Sequence, residues 1–345
     1  MKHKILAIAL VSALPLVAQA QSSVTMYGMI DASIGVENSD APGESSRTVV
    51  QSGTQSASRI GFRGTEDLGN GLKALFNIEA AVAADTGATN SRLFDRRAVV
   101  GLQGAFGTVT VGREYGPIAA VAGASDILGQ GFYGTNLAAF GTNRLTRRLD
   151  NSINYQSNAL NGFTLRAAYG AGERNETATQ DTGDITGVAL EYANAGFYVG
   201  AGYQNKEDLP SGDSKEYAAG AGYKFGNFEV RAGYMAAEPE FANRIDNKYE
   251  QMNAGVSYGF GASRVYLNYQ QQELEVNDAE AKAITVAYTY TLSKRTNVYA
   301  SYAKLRNNGA GLFSLTSPAG TIALPAAGAF GSDPQAYNIG LRHSF

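Results

Sequence analysis

The sequence predicts an all-β protein, a transmembrane antiparallel β-barrel of about 16 strands. Three observations carry that reading. Beyond the first twenty residues no long apolar pattern of helical period exists, whereas strict two-residue alternation recurs along the chain. The alternating segments are joined by two kinds of connection, short and Gly/Asn-rich or long and polar, in regular succession. The charged residues within the segments fall on the face opposite the apolar stripe.

Residues 1–20, MKHKILAIALVSALPLVAQA, read as a cleaved secretory signal peptide. Lys2 and Lys4 supply the positive start, Ile5 to Val17 the apolar run, and Ala18-Gln19-Ala20 the small-x-small cleavage site. A spanning helix is the weaker reading, because the run is short of roughly 20 apolar residues and contains Pro15. The barrel domain is then 21–345.

The strands follow in order. Val24, Met26, Gly28 and Ile30 share one face; Leu72, Ala74, Phe76 and Ile78 share another, against Lys73, Asn77 and Glu79. Phe163 to Tyr169, Phe197 to Tyr203, Tyr217 to Phe225 and Phe228 to Tyr234 repeat the pattern. So do Met252 to Phe260, Val265 to Tyr269, Ile284 to Tyr290 and Val298 to Tyr302. Short turns fall at 66–71, 104–107, 158–162, 193–196, 226–227, 259–263 and 292–296. Long connections are expected at roughly 37–57, 80–92, 115–150, 170–184, 204–216, 235–249, 271–282 and 303–335.

An even strand count puts both termini at the short-turn end, where the first and last strands can pair. Closure is a physical necessity, because an unpaired backbone group in hydrocarbon has no water to bond. A cation on the lipid face costs about 2–4 kcal/mol at the bilayer midplane. The face bearing Lys73, Arg166, Glu191, Glu229, Arg231 and Arg264 must therefore look inward. So wide a barrel holds water inside. Aromatics at the stripe ends (Tyr169, Tyr203, Tyr234, Phe260, Tyr269, Tyr290, Tyr302) read as interfacial girdles. A soluble sandwich, whose apolar face is a core, does not account for this many similar hairpins after a signal peptide.

Composition narrows the function. Without Lys2 and Lys4 the 28 basic residues become 26, against 31 acidic, a balance of −5 that does not suggest nucleic-acid binding. There is no cysteine, hence no disulfide and no thiol chemistry. The only histidine past residue 20 is His343, on the outward face near the end of the chain, where no catalytic pairing is available. An enzyme is therefore not expected. Gly200-Ala-Gly202 and Gly220-Ala-Gly222 precede no helix and are not phosphate loops. No cofactor or His/Cys metal cluster is expected; Asp213, Asp246 and Asp278 read as solvated loop charge.

SSVTMYGMIDASIGV at 22–36, SRIGFRGTEDLGNGLKALFNIE at 58–79 and FDRRAVVGLQGAFGTVTVGREYG at 94–116 resemble segments of the Gram-negative general porins. RLDNSINYQS at 148–157, YTLSKRT at 290–296 and GLRHSF at 340–345 are similar to the same family, above all its beta-proteobacterial and Neisserial branch. The resemblance implies a homotrimer of sixteen-stranded barrels in the outer membrane, passing ions and small hydrophilic solutes by diffusion. It implies surroundings of outer-membrane lipid and lipopolysaccharide, and barrel-insertion machinery that reads the C-terminal aromatic strand (here Tyr337, Leu341 and the final Phe345). It also implies a third loop folded into the lumen, with wall arginines facing acidic groups of that loop.

That loop, 115–150, is the longest and is apolar for a surface segment, with Pro117–Val121, Ile127-Leu128 and Phe132-Tyr133. It wants shelter, in the lumen or against a neighbouring subunit. The candidate pore residues are Arg59 and Arg63, inward opposite Ile60 and Phe62, and Arg97, opposite the face of Ala98, Val100 and Leu102. Arg113 matches the family's Gly-Arg segment, yet alternation puts it with Val109 and Val111; a bulge near Gly112 would turn it inward. Glu114 and Asp126 are the nearest acids of the loop, and Arg144, Arg147 and Arg148 add positive charge at its end. Rings of charge set selectivity, and the wall arginines favour anions weakly. A substrate-selective channel of the same fold, or a loop-borne adhesin or receptor role, is the alternative; inward Tyr198, Tyr266 and Tyr299 are too scattered for a sugar ladder.

Overall fold

The computed structural model describes residues 23–141, 144–175, 182–207, 213–239, 247–324 and 328–345. The signal segment 1–20 and Asp246 lie outside the described residues. Seventeen hydrogen-bonded segments make one closed sheet, and two of them are halves of a single interrupted strand. The barrel therefore has sixteen antiparallel strands. They are β1 (Ser23–Asn38), β2 (Arg47–Ser52 and Arg59–Gly69), β3 (Leu72–Ala81), β4 (Arg97–Gly104) and β5 (Gly107–Tyr115). Next come β6 (Arg148–Gln156), β7 (Phe163–Gly170), β8 (Ile185–Asn194), β9 (Phe197–Glu207) and β10 (Asp213–Phe225). The rest are β11 (Phe228–Pro239), β12 (Tyr249–Phe260), β13 (Ser263–Leu274), β14 (Ala279–Thr291), β15 (Thr296–Asn307) and β16 (Gln335–Ser344).

Each strand pairs with its sequence neighbours, and β1 pairs with β16 from Met29↔Ser344 to Asn38↔Gln335. The pairing of first and last strands closes the barrel, as hydrocarbon demands. The first long connection is shorter than alternation suggests. Arg47–Ser52 rejoins β1, and only then does the chain leave the sheet at 53–58 and return at Arg59. That excursion is held by β1: Gly53 N–H and the Ser58 hydroxyl both donate to the Asp31 carbonyl, at 2.8 and 3.0 Å.

The outward stripe is exposed, as the cost of lipid-facing charge requires: Val24, Met26, Val100, Val111, Ile153, Leu190, Ile284 and Ile339 all project outward. Aromatic contacts ring it at both ends. Phe225, Phe228, Tyr258 and Phe260 contact one another in series at the short-turn end, stacked at either end of the run and tilted in the middle. Tyr203 meets Tyr217 and Tyr302 meets Tyr337 at the other, with ring centroids 5.3 and 4.5 Å apart.

The inside is not all water. Residues 117–140 pack against the polar face of β8 to β14. Helix α1 (Pro117–Ser125) begins at a proline, whose absent N–H costs nothing at that position. It lies on inward Ala189, Ala218 and Met235, and small side chains there let it approach. From the other side come Phe313, Leu315 and Ile322 of the last long loop, joining inward Ala281, Ala283, Ala303 and Leu305 in one buried cluster. Burying a side chain such as Phe313 stabilises by about 1.5–3 kcal/mol, enough to hold a loop inside. Alternation alone shows the inward alanines but not what covers them.

Candidate permeation pathway

Where the third loop crosses the lumen, the wall supplies donors to its backbone. Asn253 Nδ2 donates to the Ser125 carbonyl, Asn268 Nδ2 to Gly134, Gln270 Nε2 to Thr135, and the Thr285 hydroxyl to Tyr133, at 2.7–3.1 Å. These meet carbonyls that a non-regular segment would otherwise leave buried and unpaired. The loop tip reaches β2 and β15. Phe132 N–H donates to the Thr54 carbonyl at 2.7 Å, and the Phe132 ring meets Tyr299 edge-on at 5.5 Å. Tyr133 donates its hydroxyl to Glu37 at 2.6 Å. The far limb is fastened by Glu216, which accepts Thr146 N–H at 2.9 Å and the Thr146 hydroxyl at 2.8 Å.

Beside this filling lie open hollows, three of which bear on the path. The first, about 630 Å³, is lined by Arg59, Arg96, Arg147, Arg148 and Arg342 against Asp85 and Asp95. The second, about 460 Å³, is lined by Arg97, Arg147 and Arg166 against Glu114. Gln130 and Arg147 border both, and Arg147 Nη2 donates to Gln130 Oε1 at 2.6 Å across the boundary. The third, about 480 Å³ near the short turns, carries Arg264, Lys294, Arg295 and Arg342 and no acid. The lining is basic although the whole chain is at −3.

The expected pore residues separate. Arg59 faces inward and pairs with Glu79 at 3.4 Å. Arg63 is inward but lies over the Tyr27 ring, 5.0 Å from its centroid, away from the hollows. Arg97 Nε donates to Glu114 at 2.7 Å, so this loop acid is neutralised by a wall arginine beside it. Arg148 Nη2 donates to the Tyr115 hydroxyl at 2.9 Å, and its guanidinium is 4.7 Å from that ring. Arg144 sits over Tyr249 at 4.2 Å, inside the apolar filling rather than the open space.

Two expectations are corrected. Asp126 does not face the arginines across the pore. It is fully buried in its own loop, accepting from Leu128 N–H at 2.8 Å, Asn136 N–H at 3.1 Å, Gln130 N–H at 3.3 Å and the Thr135 hydroxyl. The turn at the tip leaves several N–H groups without backbone partners, and one carboxylate takes them. Burial pushes its pKa above the usual carboxylate range. The uncharged Gln130 stands where an acid was expected.

Arg113 does not turn inward. The sheet is irregular beside Gly112, which adopts φ +128°, but two residues of β5 there answer to three of β6. The extra residue is on β6, so Arg113 stays opposite outward Ala98. Its guanidinium binds the Asp95 carbonyl at 2.6 Å and the Asp150 carboxylate.

Arg96 was not legible. Alternation from Ala98 puts it outside, yet it precedes the strand, where the chain bends and the rule lapses. It donates to Glu79 at 2.6 Å and to the Tyr115 hydroxyl at 3.1 Å. Arg147 is half-buried at the boundary of the first two hollows. Burial, then the neighbouring charges of Arg148, Arg96 and Arg59, pull its pKa down to about 10, which leaves it charged at neutral pH.

Comparison with known proteins agrees with this geometry. The family model of the Gram-negative porins matches residues 7–310. Outer membrane porin protein 32 of Delftia acidovorans is 31% identical over the full length of both chains. Major outer membrane protein P.IB of Neisseria meningitidis serogroup B is 28% identical, over 94% of this chain and 99% of its own. Among solved structures, an anion-selective porin from Comamonas acidovorans superposes with a TM-score of 0.84 at 30% identity, covering 94% of this chain and all of its own. Salmonella typhi OmpF, at 22% identity and a TM-score of 0.69 over 93% of this chain and 97% of its own, shares the fold. With its closed barrel and basic hollows, the chain belongs to the Gram-negative porins of the outer membrane.

Proposed function

We propose that this porin is a general diffusion channel with a weak preference for anions, narrowed where Gln130 meets Arg147. The observation that carries the reading is the five-to-two excess of arginine over carboxylate lining the hollow at the narrows. Fixed charge on a low-dielectric wall raises the local concentration of counter-ions, and wall charge lies nearest the passing ion. The relative from Comamonas, whose name gives it as anion-selective, supports the sign. Arg59, Arg96, Arg147 and Arg148 carry the selectivity, with Arg97 and Glu114 balancing each other below them. The protein acts as a passive channel and not as an enzyme.

The barrel works as a homotrimer embedded in lipid and lipopolysaccharide; a trimer form is known of OmpT, an outer membrane protein of Vibrio cholerae that shares the fold. Residues 1–20 direct export. Liposome swelling with sugars of graded size tests general diffusion: a cutoff by size alone is expected, and saturable uptake of one solute would instead mark a substrate-selective channel.

A further inference from the structure

We infer that Arg342, on the terminal strand, is a charge-selecting contact of the pore that carries anions from the narrows to the short-turn mouth. The inference rests on the anion-preferring reading above and adds a residue to it. Alternation turns Arg342 inward, opposite Asp31 of β1 and Asn297 of β15. It borders both the hollow at the narrows and the hollow at the mouth, and those two hollows have no other lining residue in common.

Like Arg147 and Arg148, Arg342 lacks an ion-pair partner among the described residues. Several other wall arginines are balanced locally: Arg97 by Glu114, Arg166 by Glu191, Arg231 by Glu229. Arg59 and Arg96 share Glu79. Arg342 has no carboxylate within ion-pair distance among the described residues. Its Nε donates to the neutral Asn297 Oδ1 at 2.9 Å and its Nη1 to the Ser56 hydroxyl at 3.0 Å. Asp31, opposite it across the seam, makes no ion pair with it and instead accepts from the Tyr299 hydroxyl at 2.6 Å and Ser56 N–H at 2.8 Å. The two neutral contacts fix the guanidinium without cancelling its field. An anion leaving Arg147 and Arg148 therefore meets the next positive charge without an ion-pair partner at Arg342, then Lys294 and Arg295 at the mouth. In a narrow low-dielectric passage such a charge lowers the energy of the anion along its path.

The test compares the purified full-length porin with Arg342→Gln in planar bilayers under a potassium chloride gradient. Arg342→Gln is expected to lower the chloride-to-potassium permeability ratio about twofold. A second variant, Asn297→Asp, leaves Arg342 in place and sets a carboxylate beside its Nε, so it neutralises the charge without removing the side chain. It is expected to move the ratio the same way, and it covers the case in which Arg342→Gln fails to assemble. A merely structural role would lower the yield or heat stability of folded barrel and leave the ratio alone. Unchanged reversal potentials in the inserted variants overturn the inference. The wild-type potential separately tests the anion preference, because the role of Arg342 is read from the difference between variant and wild type.

Discussion

Phe345 and Gly28 form the last clasp of the barrel. The Gly28 amide donates to the Phe345 carbonyl and the Phe345 amide to the Gly28 carbonyl, each at 3.1 Å. The terminal ring lies against the glycine, so a β-carbon there would meet it at 2.4 Å and the Arg59 carbonyl at 2.7 Å. The last residue of the chain is thus hydrogen-bonded into the seam instead of fraying, as chain ends otherwise do.

We expect that deleting Phe345 lowers the amount of folded barrel in the outer membrane severalfold, while molecules that do insert conduct as the wild type does. Gly28→Val should act in the same direction, because the clasp needs space for the ring. Quantifying folded porin in outer-membrane fractions checks both. Normal levels of the Phe345 deletion would show that the clasp and the terminal aromatic are dispensable for assembly.

The wall arginines make a sharper pair of predictions. Arg147→Gln should shift the reversal potential toward cation preference. Arg113→Gln should leave it unchanged, because Arg113 shares the outward face of Ala98. The Arg113 pair with Asp150 is half exposed and is worth at most about 1 kcal/mol. A selectivity change in Arg113→Gln equal to that in Arg147→Gln would mean that Arg113 reaches the pore.

Glu216 fastens the return limb of the third loop. Removing its carboxylate in Glu216→Ala leaves Thr146 N–H without its acceptor, at a cost of about 1–3 kcal/mol where it stays buried, while Gln204 Nε2 keeps only the Thr146 carbonyl. Single-channel recordings should show a higher mean conductance and more open-channel noise, from a less firmly held loop. Quiet traces of wild-type amplitude would place the restraint elsewhere.

Asp126 sets the direction of a pH effect. Its folded-state pKa is raised above the unfolded value, so its protonated form is the one the buried site prefers. Its stabilising contribution is complete below the ordinary carboxylate pKa of about 4 and is lost as pH rises through the raised value. Asp126→Asn does not titrate there. The melting temperature of the wild type relative to Asp126→Asn should therefore climb as pH falls from neutral toward 4. A gap that narrows toward acid would contradict this sign.

Most of the barrel was legible because its physics is local and repetitive. Lipid outside and water inside force alternation on every strand, and Val24, Phe163 and Ile284 can each be placed from their neighbours alone. The C-terminal strand was legible for the same reason. The filling was not, because nothing in the sequence of Phe313, Leu315 and Ile322 says that they meet Ile118 and Leu305. The site failed where alternation fails. Arg96 stands on a bend before its strand, Arg113 beside an irregularity whose extra residue is on the partner strand, and Asp126 in a turn that consumes its charge. Resemblance suggested acids facing arginines; Glu114 does meet Arg97, but it is Gln130 rather than Asp126 that meets Arg147.

The central claim is a water-filled path whose narrow section favours anions. A reversal potential across a planar bilayer holding this porin, in a potassium chloride gradient, tests it most directly. The account predicts a potential displaced toward the chloride equilibrium value and weakened by Arg147→Gln. A potential displaced toward the potassium value, or one indifferent to that substitution, would contradict it.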